Sequence, residues 1–149
     1  MRGLCLALVF AAGCGGGSSG GGATISSQIL SGKIGGAAWS LGTAESDSSL
    51  STSDQYFVTM FPDTFTACGF GAPTTSNELI VNLPRKVGSY NLGLALSVTF
   101  SIPPSDNLVT FNGHIVIDAV TATTISGGMN VTRDAGNSVN GQFQATVCP

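Results

Sequence analysis

The chain has 149 residues, 42% of them hydrophobic and only 9% charged, with a formal net charge of −3 and a pI near 4.7. That length suits one domain with a real core, and no apolar run is long enough to cross a bilayer as a helix. The basic residues beyond the start segment, Lys33, Arg85, Lys86 and Arg133, are scattered, which excludes the electrostatic footprint of a nucleic-acid binder and of a polybasic membrane segment. Polarity comes instead from Ser, Thr, Asn, Gln and Gly, a mixture that favours strands and turns.

Met1-Arg2-Gly3 opens the chain, followed by the apolar stretch from Leu4 to Phe10 and the small residues Ala11-Ala12-Gly13 ahead of Cys14. A basic start, a short apolar core and small residues before a cut site read as a secretory signal over residues 1–13. Residues 15–22 are Gly and Ser only, a flexible coil of roughly 15 Å root-mean-square span. Together, Ala11-Ala12-Gly13-Cys14 and the run that follows resemble the lipobox of bacterial lipoproteins, with Ala11 where that family prefers Leu. The resemblance implies a diacylglyceryl thioether on Cys14, cleavage just before it and acylation of the new amine. Several palmitate-class chains then hold the protein in the membrane, which one chain would not. Gly15 in place of Asp implies the outer membrane of a bacterial cell envelope, on its periplasmic or surface face. Residues 14–22 are thus the lipidated cysteine and tether, and 23–149 a single domain.

From Ala23 onward the hydrophobic pattern alternates with period two, and no capped helical pattern interrupts it. Leu30, Gly32 and Ile34 open the domain, then Trp39 and Leu41 point one way after Gly35-Gly36. Residues 56–61 are apolar on both faces, as a well-covered central strand would be. Leu79, Val81 and Leu83 form another strand, closed by the turn-like Pro84-Arg85-Lys86-Val87-Gly88. The longest alternation runs Tyr90, Leu92, Leu94, Leu96, Val98, Phe100, Ile102. It predicts one half-buried strand with a bend at Gly93 and an end at Pro103-Pro104. Val109 and Phe111 share a phase with Ile115, Ile117 and Ala119, and Asn112-Gly113 is either a hairpin turn or a bulge in one strand. Last, Ile125, Met129 and Val131 return through a turn at residues 133–137 to Val139, Gly141, Phe143, Ala145 and Val147. The expectation is an all-β, antiparallel β-sandwich or up-and-down barrel of roughly eight or nine strands.

The phrases Gly32-Lys33-Ile34-Gly35-Gly36-Ala37-Ala38-Trp39, Ile125-Ser126-Gly127 and Val139-Asn140-Gly141-Gln142-Phe143 are similar to those of a broad group of bacterial lipoprotein domains. That resemblance implies a fold and an anchor but no catalytic residues. With Cys5 leaving in the signal and Cys14 used by lipid, Cys68 and Cys148 remain in an exported, oxidising compartment, where a disulfide between them is expected. Cys148 falls on the polar phase of the last strand, so the bond belongs near an edge or surface.

Catalytic chemistry is not legible. His114 is the only histidine and by alternation sits on a solvated face with Asp118 about 13 Å away, so neither a Ser/His/Asp unit nor a zinc site can be built on it. Glu45, Asp47 and Asp54 lie in what reads as a Ser-rich loop, a weak calcium candidate whose spacing fits no EF-hand. Trp39 and the exposed-aromatic candidate Phe70 are the residues singled out for ligand contact, with a core role commoner for the tryptophan. The expectation is therefore a membrane-anchored structural or binding lipoprotein with no enzyme activity, metal or cofactor. Its partners would be the membrane itself and an envelope protein or glycan, and not nucleic acid. A barrel holding a small apolar ligand is the alternative, and a hydrolytic enzyme the third reading.

Overall fold

The computed structural model describes residues 24–149 apart from Phe70, Thr74 and Ser105. Among these residues there are eleven strands and no helix. One antiparallel half runs in the order β3 (Thr43–Asp47), β4 (Gln55–Phe61), β5 (Glu78–Pro84), β7 (Val98–Ile102), β8 (Asp106–Thr110). The other runs β6 (Gly88–Asn91), β9 (Gly113–Val120), β10 (Thr124–Asp134), β11 (Asn137–Thr146), and then β1 (Ser31–Ile34) and β2 (Ala37–Ser40). The halves meet where β11 lies parallel to β3 at Thr146↔Glu45, making one curled, mixed sheet.

Alternation explains why the sheet closes on itself. Met60, Leu79 and Phe100 are cross-strand partners on neighbouring strands, and all are fully buried. Val58, Val81 and Val98 form the adjacent row. From the other half come Ile115, Ile117, Ile125, Met129, Val131 and Phe143, and both sets belong to one core. Each such side chain contributes roughly 1.5–3 kcal/mol by leaving water. The β10–β11 hairpin follows the sequence pattern closely: Ile125, Met129, Val131, Val139 and Ala145 are buried. Asp134 closes its turn by accepting from the Gly136 N–H at 2.8 Å and the Asn137 amide at 2.9 Å.

The strand count exceeds the expected eight or nine because two long alternations are split. Tyr90 to Ile102 is not one strand. β6 pairs with β9 in one half and β7 with β5 in the other, so the chain must cross between them. It does so through a tight turn closed by Gly93 N–H to Leu96 O at 2.8 Å and Leu96 N–H to Gly93 O at 3.2 Å. Leu96 stays buried, Leu92 is half-buried, and Leu94 is 97% exposed. The second split lies at Asn112-Gly113, which is neither a hairpin nor a bulge. Through β7 the register places Thr110 in the inward phase, so Val109 and Phe111 are exposed. The phase then resets at β9, whose Ile115 and Ile117 are buried. Gly113 makes this possible: its φ is 146°, and a Cβ there would meet the Asn130 carbonyl oxygen at 2.5 Å.

Candidate functional site

The seam between the halves is where side chains of chemical interest converge. The stretch around Glu45 is not a loop but β3, held by antiparallel pairing to β4, with Ser46 buried. The Ser46 hydroxyl accepts the Cys148 N–H at 3.0 Å, which draws the C-terminal end of the chain onto the seam. Cys148 is bonded to Cys68, with Cα atoms 5.4 Å apart and a sequence separation of 80. That confirms the expected pairing and its place: Cys68 is exposed and Cys148 half-buried. Cys68 takes a left-handed φ of 62°, a strained conformation for a residue with a side chain, and its N–H donates to the Glu45 carboxylate.

A cleft of about 550 Å³ opens over this seam, lined by Glu45, Asp47, Thr59, Phe61, Gly69 and Cys148 among others. On its rim, Asp47 accepts from the Ser49 hydroxyl at 2.6 Å and the Ser49 N–H at 2.8 Å. These bonds favour the ionised form and hold its carboxyl below the ordinary value of 3.8. The Ser51 hydroxyl donates to the Asp47 carbonyl and accepts the Phe57 N–H at 3.0 Å. The Ser-rich segment after β3 is thus tied up in its own backbone. Glu45, Cys68 and Cys148 place ligand-type atoms within 4.8 Å of one another. Both sulfurs are spent in the S–S bond, however, and a disulfide has no thiolate to offer as nucleophile or metal ligand.

A second cleft of about 450 Å³ is lined by Glu78, Ser101, Pro103, Pro104 and Asp106. Burial pushes the Glu78 carboxyl up from its ordinary value of 4.5, partly opposed by a hydrogen bond with the Ser101 side chain. His114 belongs to the other half, on the outer face of β9 between Asn91 and Asn130. It is half-buried rather than solvated, and its Nδ1 is buried without a hydrogen-bond partner among the described residues. Asp118 is exposed. Trp39 is a core residue whose indole N–H donates to the Asn77 carbonyl at 2.9 Å, so it presents no stacking face to a ligand. Phe70 lies outside the described residues, as do Cys14 and the rest of the signal and tether.

Two features escaped the sequence reading. One is an amide clasp on the outer face of β10 and β11. The Asn130 and Asn140 amides both donate to the Thr24 carbonyl at 3.1 Å, Ser26 N–H donates to the Asn140 side-chain oxygen at 2.8 Å, and the Gln142 amide donates to the Ser26 carbonyl at 2.8 Å. Polar residues at alternate positions signalled an outward face but not what would lie on it. The other is the turn at Leu94. A groove of about 530 Å³ runs beneath it, lined by Pro84, Tyr90, Leu94 and Ala95 among others. Arg85 stacks its guanidinium 4.0 Å above the Tyr56 ring, and the Tyr90 hydroxyl donates to the Lys86 carbonyl at 2.8 Å. Here the sequence signal pointed the wrong way, because Leu94 continues an apolar alternation. No protein-family model, curated protein or solved structure matches this chain.

Proposed function

We propose that this protein is a lipid-anchored lipoprotein of a bacterial envelope, held at Cys14 in the outer membrane, whose β-domain serves as a structural or binding module. The observation that carries the reading is the Cys68–Cys148 bond. Such bonds persist in oxidising, exported compartments and are rare in a reducing cytoplasm, which agrees with the signal-like start and the lipobox-type Ala11-Ala12-Gly13-Cys14. The amide clasp adds support, since it binds the first residues after the Gly/Ser run to a defined place on the sheet. A binding role is favoured over a hydrolytic one because the seam cleft offers Glu45, bonded to the Cys68 N–H, Asp47, bonded to Ser49, and a closed disulfide, while His114 lies in the other half of the fold. The small-ligand barrel receives no comparable support: Val58, Met60, Leu79, Phe100, Ile117 and Met129 fill the space between the halves.

The test is at Cys14. Mass spectrometry of the membrane fraction should find the mature chain beginning at Cys14 with acyl mass on its first peptide. Cys14→Ser should release the protein from that fraction. A Cys14→Ser protein that stays equally membrane-bound would overturn the reading.

A further inference from the structure

We infer that the seam is a redox-gated metal site: once the Cys68–Cys148 bond is reduced, the two thiolates and the Glu45 carboxylate bind a thiophilic divalent cation of the Zn2+ class. The inference goes beyond the anchor reading and does not depend on it. Glu45 and the two cysteines each bring one ligand-type atom, and the three atoms lie within 4.8 Å of one another. Cys148 Sγ is 4.0 Å from a Glu45 carboxylate oxygen. Around a tetrahedral zinc with bonds of about 2.0–2.3 Å, ligand atoms stand roughly 3.3–3.8 Å apart. Rotation about side-chain bonds supplies that adjustment once the S–S bond is open. Cys68 is exposed, and exposed disulfides are the more readily reduced. The reductant is a dithiol. Its thiolate attacks Cys68 Sγ, Cys148 leaves and takes up a proton, and the second thiol of the reductant resolves the mixed disulfide. The reductant ends as a disulfide and the seam gains two electrons and two protons. Zinc then displaces those two protons.

Contacts independent of the S–S bond hold the cluster in place. Glu45 is fixed on both sides, paired with Thr59 of β4 and Thr146 of β11. The Cys148 N–H donates to the Ser46 hydroxyl at 3.0 Å, and the Val147 N–H to the Thr123 carbonyl at 2.8 Å. The Cys68 N–H donates to Glu45 itself, a single bond that leaves the carboxylate capacity to accept a cation. Reduction therefore yields two thiols that stay beside a carboxylate. Their electrostatics calls for a cation. Three anions this close repel one another, and the charged residues lining the cleft, Glu45 and Asp47, are both acidic, with no Lys, Arg or His among its described lining residues. Two sulfurs in the ligand set select zinc over calcium and magnesium, which take oxygen. The cleft of about 550 Å³ above the cluster leaves room for water at the fourth position.

The test uses the full chain carrying Cys5→Ser and Cys14→Ser, in which Cys68 and Cys148 are the only cysteines. The chain is reduced with a phosphine and titrated with Co2+ as a coloured stand-in for zinc. One equivalent should give thiolate-to-cobalt charge-transfer absorption, which Zn2+ bleaches and excess Ca2+ does not. The oxidised chain should give no such band. Glu45→Gln should weaken zinc binding at least about tenfold, since even groups one shell further from a metal are worth that much. Unchanged affinity in Glu45→Gln would overturn the proposal, and so would a reduced chain that binds zinc no better than the oxidised one. Should reduction unfold the domain, circular dichroism and urea midpoints decide. Zinc should then restore the β spectrum and raise the midpoint of the reduced chain by mass action, and do so less for Glu45→Gln. A reduced chain that zinc leaves unfolded would refute the site. None of these readouts involves Cys14, so they stand or fall apart from the anchor.

Discussion

Glu78 shows how one side chain acquires a property that its sequence neighbours do not announce. It stands at the start of β5, opposite Ser101, and burial raises its carboxyl above the ordinary 4.5 against the lowering effect of Ser101. The folded state therefore holds this proton more tightly than the unfolded chain does. Its contribution favours folding below pH 4.5 and is lost as pH rises from there through the raised folded value. Glu78→Gln should remove that loss. Urea midpoints of wild type and variant should diverge as pH climbs above 4.5, with the variant the more stable; parallel curves would show that Glu78 titrates alike in both states. Asp47 acts in the opposite sense. Its lowered carboxyl withdraws stability only as pH falls below the ordinary 3.8, so the two windows separate. From the sequence Glu78 is a strand-end acid and nothing more, because the residues that share its cleft, Ser101 of β7 and Pro103-Pro104, come from a distant part of the chain.

Among the elements, the β9–β10–β11 ladder was the most legible and depends on positions where no side chain fits. The register between β9 and β10 shifts between Ser126 and Gly127, and a Cβ at Gly127 would stand 1.9 Å from the Val116 carbonyl oxygen. Backbone cannot yield as a flexible side chain can. Gly127→Ala should destabilise by on the order of 3 kcal/mol in urea unfolding. Gly71→Ala, whose Cβ would meet nothing within 4 Å, should stay within about 0.5 kcal/mol. Equal stabilities would mean that β9 and β10 lie further apart than this register places them. The hairpin of β10 and β11 was readable because strict alternation and a turn-forming Asp134-Ala135-Gly136-Asn137 agree. The segment around Leu94 was not, since alternation says only that residues share a phase. It cannot say that the chain will leave one half of the sheet for the other midway.

At the scale of the molecule, the Cys68–Cys148 bond ties the C-terminal end of β11 to the loop after β4, across the seam with a single parallel bridge. Opening a cross-link of 80 residues releases chain entropy worth about 4–5 kcal/mol in the denatured state. The double variant Cys68→Ser, Cys148→Ser should lose stability of that order in denaturant unfolding. A loss below about 1 kcal/mol would show that Ser46, Glu45 and the core hold the seam without it. The amino-acid sequence by itself determined the all-β class, most of the buried set and the partner of each domain cysteine. Those follow from side-chain period and from counting thiols, which are local or nearly so. Tertiary structure alone decided which half of the sheet each strand joins, and therefore that Leu94 faces water and Thr110 the core. It also decided that Thr24 is clasped by Asn130 and Asn140, and that Glu45 meets the disulfide. Each of these pairs residues far apart in the chain, and the free energy that selects them arises only when the two halves close over a common core.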